Sequence, residues 1–564
     1  MFDEESEIFV GGVNSIDSFA RSWQRAACFP EVFPRRPSVL TTDSSEDWHH
    51  SIGDFPRLQG SPHAGLDPAL TRPLLSDNGA SSFGQRDGGL NNSYLEPALG
   101  SSYGTISSRV SESARKNVIE FHRQQQAHPD TVVGHDGGSL LVKQVQHEDG
   151  TRENIVVGQS TVPQTVFNSV NVLIGVGLLS LPLAMKHAGW LLGLLFLVFA
   201  AIATAYTARI LAKCLDVDRS LVTYADLAYI SFGQRARLII SFLFCLELLG
   251  ACVALVVLFA DSLHVLLPGL SIPQWQMICG LMLVPLSFVP LRFLSVTSIL
   301  GILSCTSIVA IICIDGLFKP HPPGSLREPA QTYLFPENWG TLPLSFGLIM
   351  SPWGGHGVFP NIYRDMRHPH KYARSLWATY IFTYSLDCSM AIIGWMMFGS
   401  TIRDEVTANV LLMDEYPQIL SICIIIFIAI IPITKVPLNC RPLVATVEVL
   451  CGLESLKDSS PDFRGRGLLV RQALRALIRV IVVAVIVVAA IAFPSFDRIM
   501  ALMGSALCFT ICIILPLAFY LKIFGKEISP KERLLSWSLL VASSVLAVIG
   551  TVWAFLPQEM IVSM

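Results

Sequence analysis

Two apolar segments of this chain are interrupted in mid-course by residues that cannot continue a helix, at matching places in what read as two five-span halves. The first runs Asn171-Val172-Leu173-Ile174-Gly175-Val176-Gly177 and then reaches Leu181-Pro182; the second runs Ser351-Pro352-Trp353-Gly354-Gly355-His356-Gly357. Hydrocarbon holds no water to satisfy a free amide, so irregular backbone survives there only where it lines a cavity enclosed by protein. A corresponding pair of breaks is the sequence mark of a carrier that binds its cargo near the bilayer midplane. For Gly175 and Gly177 the competing reading is close helix packing, a common use of small residues in membranes. The Pro-Trp-Gly-Gly-His-Gly run resists that explanation, because so many breakers in succession exclude a continuous helix.

The 564 residues are 52% apolar and 15% charged, with mean hydropathy +0.52, which is too apolar for a soluble domain and places the chain among multi-span membrane proteins. Hydropathy predicts eleven spans, at 163–185, 191–212, 238–263, 275–289, 294–318, 342–363, 375–397, 419–437, 477–493, 496–521 and 534–556. With spans one and six broken, the expected fold is all-α: a five-plus-five inverted repeat followed by an extra helix. Basic residues set the orientation. Arg209, Lys213, Arg364, Arg367, Arg464, Arg471, Lys522 and Arg533 fall in loops on one side, against little beyond Lys186, Lys319, Arg327, Arg403 and Arg498 on the other. The amino terminus is therefore expected in the cytosol and the carboxyl terminus across the membrane. Of the 13 cysteines, eight lie inside apolar runs as small hydrophobes, and no spacing marks a disulfide framework or a zinc site.

Residues 1–139 read as a cytosolic tail, rich in Ser, Pro, Gly, Asp and Arg and expected to be largely disordered. Within it 111–126 has the character of a short helix. Segments 140–146 and 153–157 flank the turn signal Asp149-Gly150, so 140–160 is read as a hairpin that is either incidental local structure or a cap on the cytosolic mouth. The transporter domain spans 161–564.

Ionisable groups buried in spans are costly and so are functional candidates. Glu247 stands midway along the third span, between Leu246 and Leu248, and is the first proton-carrier candidate; its alternative is a structural carboxyl bonded to a neighbouring helix. His356 carries an imidazole into the second break, for proton transfer or to satisfy backbone. Asp387 in span seven is a third carboxyl. In a broken-helix carrier the free N–H groups of half-helix amino ends receive the cargo's carboxylate. Gly175, Val176 and Gly177 would supply that backbone in the first span, with Ser351, Trp353, Gly354 and Gly355 as the counterpart in the sixth.

Three segments carry a family resemblance: TVPQTVFNSVNVLIGVGLLSLPLAMKHAGW at 161–190, WGGHGVFPNIYRDMRHP at 353–369 and IPITKVPLNCRP at 431–442. They resemble the amino acid/auxin permease family, in its branch of fungal vacuolar amino acid transporters that includes the vesicular inhibitory amino acid transporter. The resemblance runs from about residue 140 to the carboxyl end. It implies a leucine-transporter-type fold, residence in the vacuolar membrane and proton-driven movement of neutral amino acids into the lumen. Asn171 matches the family's polar position in span one, where it orders the unwound backbone, touches the ligand or bonds a facing helix. Sodium-coupled relatives of the fold hold their ion between spans one and eight. Here Thr434 offers a hydroxyl at that place, and Lys435 beside it either snorkels or sets a fixed ammonium where sodium would sit.

Two other classes fit less well or equally. An enzyme requires clustered catalytic groups, whereas the buried polar residues here are scattered one per span, with no cofactor or metal motif and no nucleic-acid signature. A transport-derived sensor would keep the broken helices and use the tail to engage cytosolic regulators. Direction stays open as well: exchange against protons fills an acidic lumen, and symport with them empties it.

Overall fold

The computed structural model of the chain describes residues 16–27, 110–127, 141–146, 152–267, 269–413, 415–451, 453 and 466–563; the low-complexity passages of the tail lie outside them. Three elements precede the apolar region. These are α1 (Ile16–Ala27), α2 (Glu112–Ala127) and an antiparallel pair, β1 (Leu141–Gln146) with β2 (Arg152–Val157), in register from Leu141↔Val157 to Gln146↔Arg152. The helix α1 departs from the expectation of a disordered tail. It is short, but Ala20, Trp23 and Ala26 recur at helical spacing and are all buried, so tertiary packing stabilises a helix that local propensity does not announce. After β2 the chain closes on the body: Gln159 and Ser160 both donate their amides to the carbonyl of Asp365, and Ser160 bridges to Met366.

The first expected span comes in pieces. Helix α3 (Val162–Leu173) begins with a capping box at Thr161 and Gln164, stops before Ile174-Gly175, and is followed by a 3-10 turn at Val176–Ser180 and then α4 (Leu181–Leu215). Gly189 bends α4 sharply with φ 70°, and a Cβ there would lie 2.6 Å from the carbonyl carbon of Phe335, so glycine is required by conformation and by space. A short helix, α5 (Tyr224–Phe232), leads to α6 (Gln234–Leu266), α7 (Ile272–Leu286) and α8 (Leu291–Phe318). The second interrupted segment consists of α9 (Leu342–Met350), a 3-10 turn at Ser351–Trp353 and α10 (Phe359–Arg364). Then come α11 (Tyr372–Phe398), the small α12 (Val406–Leu411), α13 (Gln418–Leu450) with Pro432, Pro437 and Pro442 inside it, and α14 (Arg466–Ala492). Helix α15 (Phe496–Leu502) continues through a π-helical stretch, Met503–Ile514, into α16 (Leu515–Phe524), before α17 (Pro530–Phe555) and α18 (Gln558–Ser563).

Eight helices among the described residues are long and apolar enough to cross a membrane. The eleven expected segments exceed that number for a physical reason: segments one and six are broken into short pieces, and the fourth, Ile272–Leu286, is apolar but short. The chain is an all-helical polytopic membrane protein whose apolar surplus faces outward, as at Leu195, Ile202, Leu281 and Val548, each more than half exposed.

Candidate functional site

Both breaks lie at the centre of the helix bundle, and the elements around them can be built up from the backbone. At the first, Ile174 and Gly175 are extended, so α3 ends without a continuing turn and its last carbonyls have no intrahelical partners. Lys435, set between the prolines of α13, supplies one. Its Nζ donates to the carbonyl of Asn171 at 3.1 Å and to the carbonyl of Ile174. An ammonium at a helix carboxyl end meets the negative pole of the helix as well as the free lone pairs. Gly301 on α8 leaves the room: a Cβ there would be 3.2 Å from Thr434 Oγ1 and 3.5 Å from Lys435 Cε. The hydroxyl of Thr434 donates to its own helix, at Ile431 O, 3.0 Å away. For Asn171 it is the backbone carbonyl that the lysine engages; the side chain is buried.

The glycines of the first break divide by surroundings. A Cβ on Gly175 would meet nothing within 4 Å, so that residue faces open space. On Gly177 it would lie 2.9 Å from Pro352 N and from Ser351 Oγ, which makes Gly177 the point where the two breaks press together. Val176, between them, is buried.

At the second break the backbone is held from the π-helical stretch. Cys512 Sγ donates to Trp353 O at 3.4 Å, while Cys508 Sγ stands 3.9 Å from Ser351 O. Trp353 is fully buried and stacks on Tyr380 of α11, with ring centroids 5.5 Å apart and an interplanar angle of 10°. Gly354 faces Glu247: a Cβ would be 3.1 Å from its Oε1 and 3.1 Å from Cys508 Sγ. The α6 carboxyl therefore reaches the unwound backbone of the second break. Gly355 serves packing, since a Cβ would meet Leu173 Cδ2 at 2.9 Å and Val172 Cγ1 at 3.1 Å.

His356 is completely buried, with Nε2 3.0 Å from Thr207 Oγ1 and 3.1 Å from the carbonyl of Thr204. A carbonyl only accepts, so the hydrogen belongs on Nε2. Thr207 in turn donates to Cys512 O at 2.6 Å. The imidazole thus ties α4 to the second break and to the π-helical stretch, and its Nδ1 has no hydrogen-bond partner among the described residues. On α11, Tyr380, Thr383 and Asp387 follow one face at helical spacing, all buried, and among the described residues Tyr380 OH, Thr383 Oγ1 and Asp387 Oδ2 have no hydrogen-bond partner. Buried orphans of this kind call for water or ligand.

The structure thus joins Lys435 and Asn171 at one break and Glu247, Gly354, Ser351 and Trp353 at the other, with Gly177 where the two meet. Sequence reasoning missed Cys508, Cys512, Thr204, Thr207 and Thr383. Nothing in the sequence distinguishes those thiols and hydroxyls from packing residues: the π-helical register aims the two thiols at the break, and the threonines are placed by the rotation of α4 and α11.

Residues 158–556 match the family described as transmembrane amino acid transporter protein. The chain is similar to amino acid transporter AVT1I of Arabidopsis thaliana, 30% identical over 411 residues that cover 70% of this chain and 94% of that one. It is also similar to the vesicular inhibitory amino acid transporter of Xenopus tropicalis, 26% identical over 404 residues, or 68% of this chain and 75% of the relative. Among solved structures, that of MhsT in complex with L-phenylalanine overlays with TM-score 0.46 at 12% identity, covering 69% of this chain and 98% of the other.

Proposed function

Because the chain belongs to the transmembrane amino acid transporter family, we propose that it moves neutral amino acids across the vacuolar membrane, from cytosol to lumen, in exchange for protons. On this reading the chain crosses eleven times, as an inverted five-plus-five repeat with a final helix. The amino terminus is cytosolic and the carboxyl terminus luminal. The cargo sits at the open space beside Gly175, with the unwound backbone of Val176 and of Ser351, Trp353 and Gly354 around it.

The observation that carries the reading is the placement of Lys435 Nζ on the carbonyls of Asn171 and Ile174. A fixed cation there makes a bound sodium ion redundant, which leaves the proton as the coupling ion. Glu247 is the group placed to carry it. A proton gained or lost at its carboxyl acts directly on the backbone at Gly354, next to the cargo space. His356 is a positioning residue on this account, because its Nε2 hydrogen is committed to the α4 backbone.

The test is uptake of labelled neutral amino acids into sealed vesicles carrying the purified chain, with an acid-inside gradient and no sodium. Uptake that collapses with the gradient and falls in Glu247→Gln supports the proposal. A strong sodium requirement would remove the role given to Lys435. Efflux on acidification would reverse the direction, and binding without flux would make the chain a sensor.

A further inference from the structure

The helix α1 is seated on the body of the protein by a directed chain of hydrogen bonds. Asn168 Nδ2 of α3 donates to Ser22 Oγ at 2.8 Å. Ser160 gives its one hydroxyl proton to Asp365 Oδ2, so Ser22 is the donor to Ser160 Oγ at 2.6 Å. Arg25 closes the network from the other side, with Nε 2.8 Å from Asp365 Oδ1 and Nη2 3.2 Å from Ser160 Oγ. Higher on the same helix Ser18 Oγ accepts from Gln164 Nε2 at 2.6 Å, and Phe19 meets Phe167 edge-on with ring centroids 5.3 Å apart. Ser22 and Ala26 are fully buried, and Asp365 is 1% exposed.

These partners belong to separate parts of the carrier. Gln164, Phe167 and Asn168 lie on α3, before the first break; Asp365 follows α10, after the second; and α1 also packs against α8. The groove between α3, α8 and α10 is thus a docking site built for a helix, and its occupant is the chain's own Ile16–Ala27. Burying an arginine–carboxylate pair there needs the full set of partners seen, since a lone buried charge is strongly disfavoured.

We infer that α1 is an autoinhibitory latch: docked between α3, α8 and α10, it holds the cytosolic mouth shut, and it must leave before cargo enters from that side. Alternating access requires the half-helices on either side of the breaks to separate from their neighbours at one face at a time. A helix hydrogen-bonded at once to α3 and to the residue after α10 opposes that separation. Its release shifts the population toward the cytosol-open state by the free energy of docking.

This latch rests on the transport and sidedness proposed above, so the experiment reads docking and transport separately. Amide hydrogen exchange of 18–26 is compared between the full chain and Arg25→Ala, alongside initial uptake into sealed vesicles from the cytosolic side. The expected result is slow exchange in the parent, faster exchange in Arg25→Ala, and an initial rate raised about fivefold or more. In the double variant Ser18→Cys, Gln164→Cys, oxidation should abolish uptake and reductant restore it, with each single variant as control for native cysteines. Exchange in the parent as fast as in a free peptide overturns the latch, as does release of α1 with no rise in uptake. Should neither form transport, the proposed function fails, while the exchange comparison still decides whether α1 docks.

Discussion

Lys435 donates a 3.1 Å hydrogen bond to the backbone carbonyl of Asn171, spanning from the eighth predicted segment to the broken end of the first. The same ammonium also serves the carbonyl of Ile174. Removing it in Lys435→Ala leaves buried acceptors without a donor, at about 1–3 kcal/mol for an unsatisfied group. The variant should melt earlier in detergent and lose gradient-driven uptake. Added sodium should leave the parent's uptake unchanged. A sodium-stimulated parent would show that the ammonium does not take the cation's place.

Gly175 and Gly177 are two residues apart and should respond oppositely to the same change. Gly177→Ala drives a methyl to within 2.9 Å of Pro352 N, which is backbone and cannot swing aside, so it should cost about 1–3 kcal/mol of stability. Gly175 has open space and an extended φ of −149°, which any residue adopts. Gly175→Ala should therefore fold normally and raise KM most for bulky amino acids, by about tenfold for about 1.4 kcal/mol of lost binding. Thermal melts with uptake kinetics for a small and a large cargo separate the two. Equal loss of stability in both variants would contradict the open space at Gly175.

Glu247 and His356 both reach the second break, and on the proposed reading Glu247 alone carries the proton there. Glu247→Gln removes a titrating group beside Gly354 while keeping the shape, so proton-driven uptake should fall to background as amino acid exchange without a gradient persists. His356→Ala instead cuts the link to Thr207 and Thr204, which should lower stability by about 1–3 kcal/mol and leave the shape of the pH profile intact. A pH profile altered by His356→Ala and untouched by Glu247→Gln would exchange their roles.

The breaks were legible because Gly and Pro clusters inside apolar runs have one physical meaning in a membrane. Lys435 was legible as a residue type in an unusual place, whereas the carbonyls its Nζ meets depend on how α13 packs against the end of α3, which no local pattern encodes. Glu247 was identified as a buried carboxyl, but its reach to Gly354 depends on helix rotation that a uniformly apolar span does not encode. The glycines could not be sorted from sequence, since Gly175 and Gly177 look alike until the opposing backbone is present. Helix α1 escaped notice because twelve residues are marginal as an isolated helix, and the packing of its apolar face against α3 and α8 is not written in the local sequence.

The loop before α12 yields a prediction about acid. Glu405 is 3% exposed, and among the described residues neither oxygen has a hydrogen-bond partner, although the Ser262 and Thr407 hydroxyls are close by. Burial first, then the neighbouring carboxyls of Asp261 and Asp404, push its own carboxyl well above the usual range. Lys186, Arg403 and Arg498 act on Asp404 rather than on Glu405. The folded chain therefore binds more protons here than the unfolded chain. The resulting stability is complete below the unfolded carboxyl's pKa and is lost as pH rises toward the folded value. Melting temperature should accordingly drop between about pH 5 and about pH 7.5, and Glu405→Gln, which keeps the neutral shape, should flatten that drop and stabilise the protein at the upper end. On the proposed topology this loop faces the acidic lumen, where the protonated form is favoured. A Glu405→Gln protein as pH-sensitive as the parent would assign the effect to other groups.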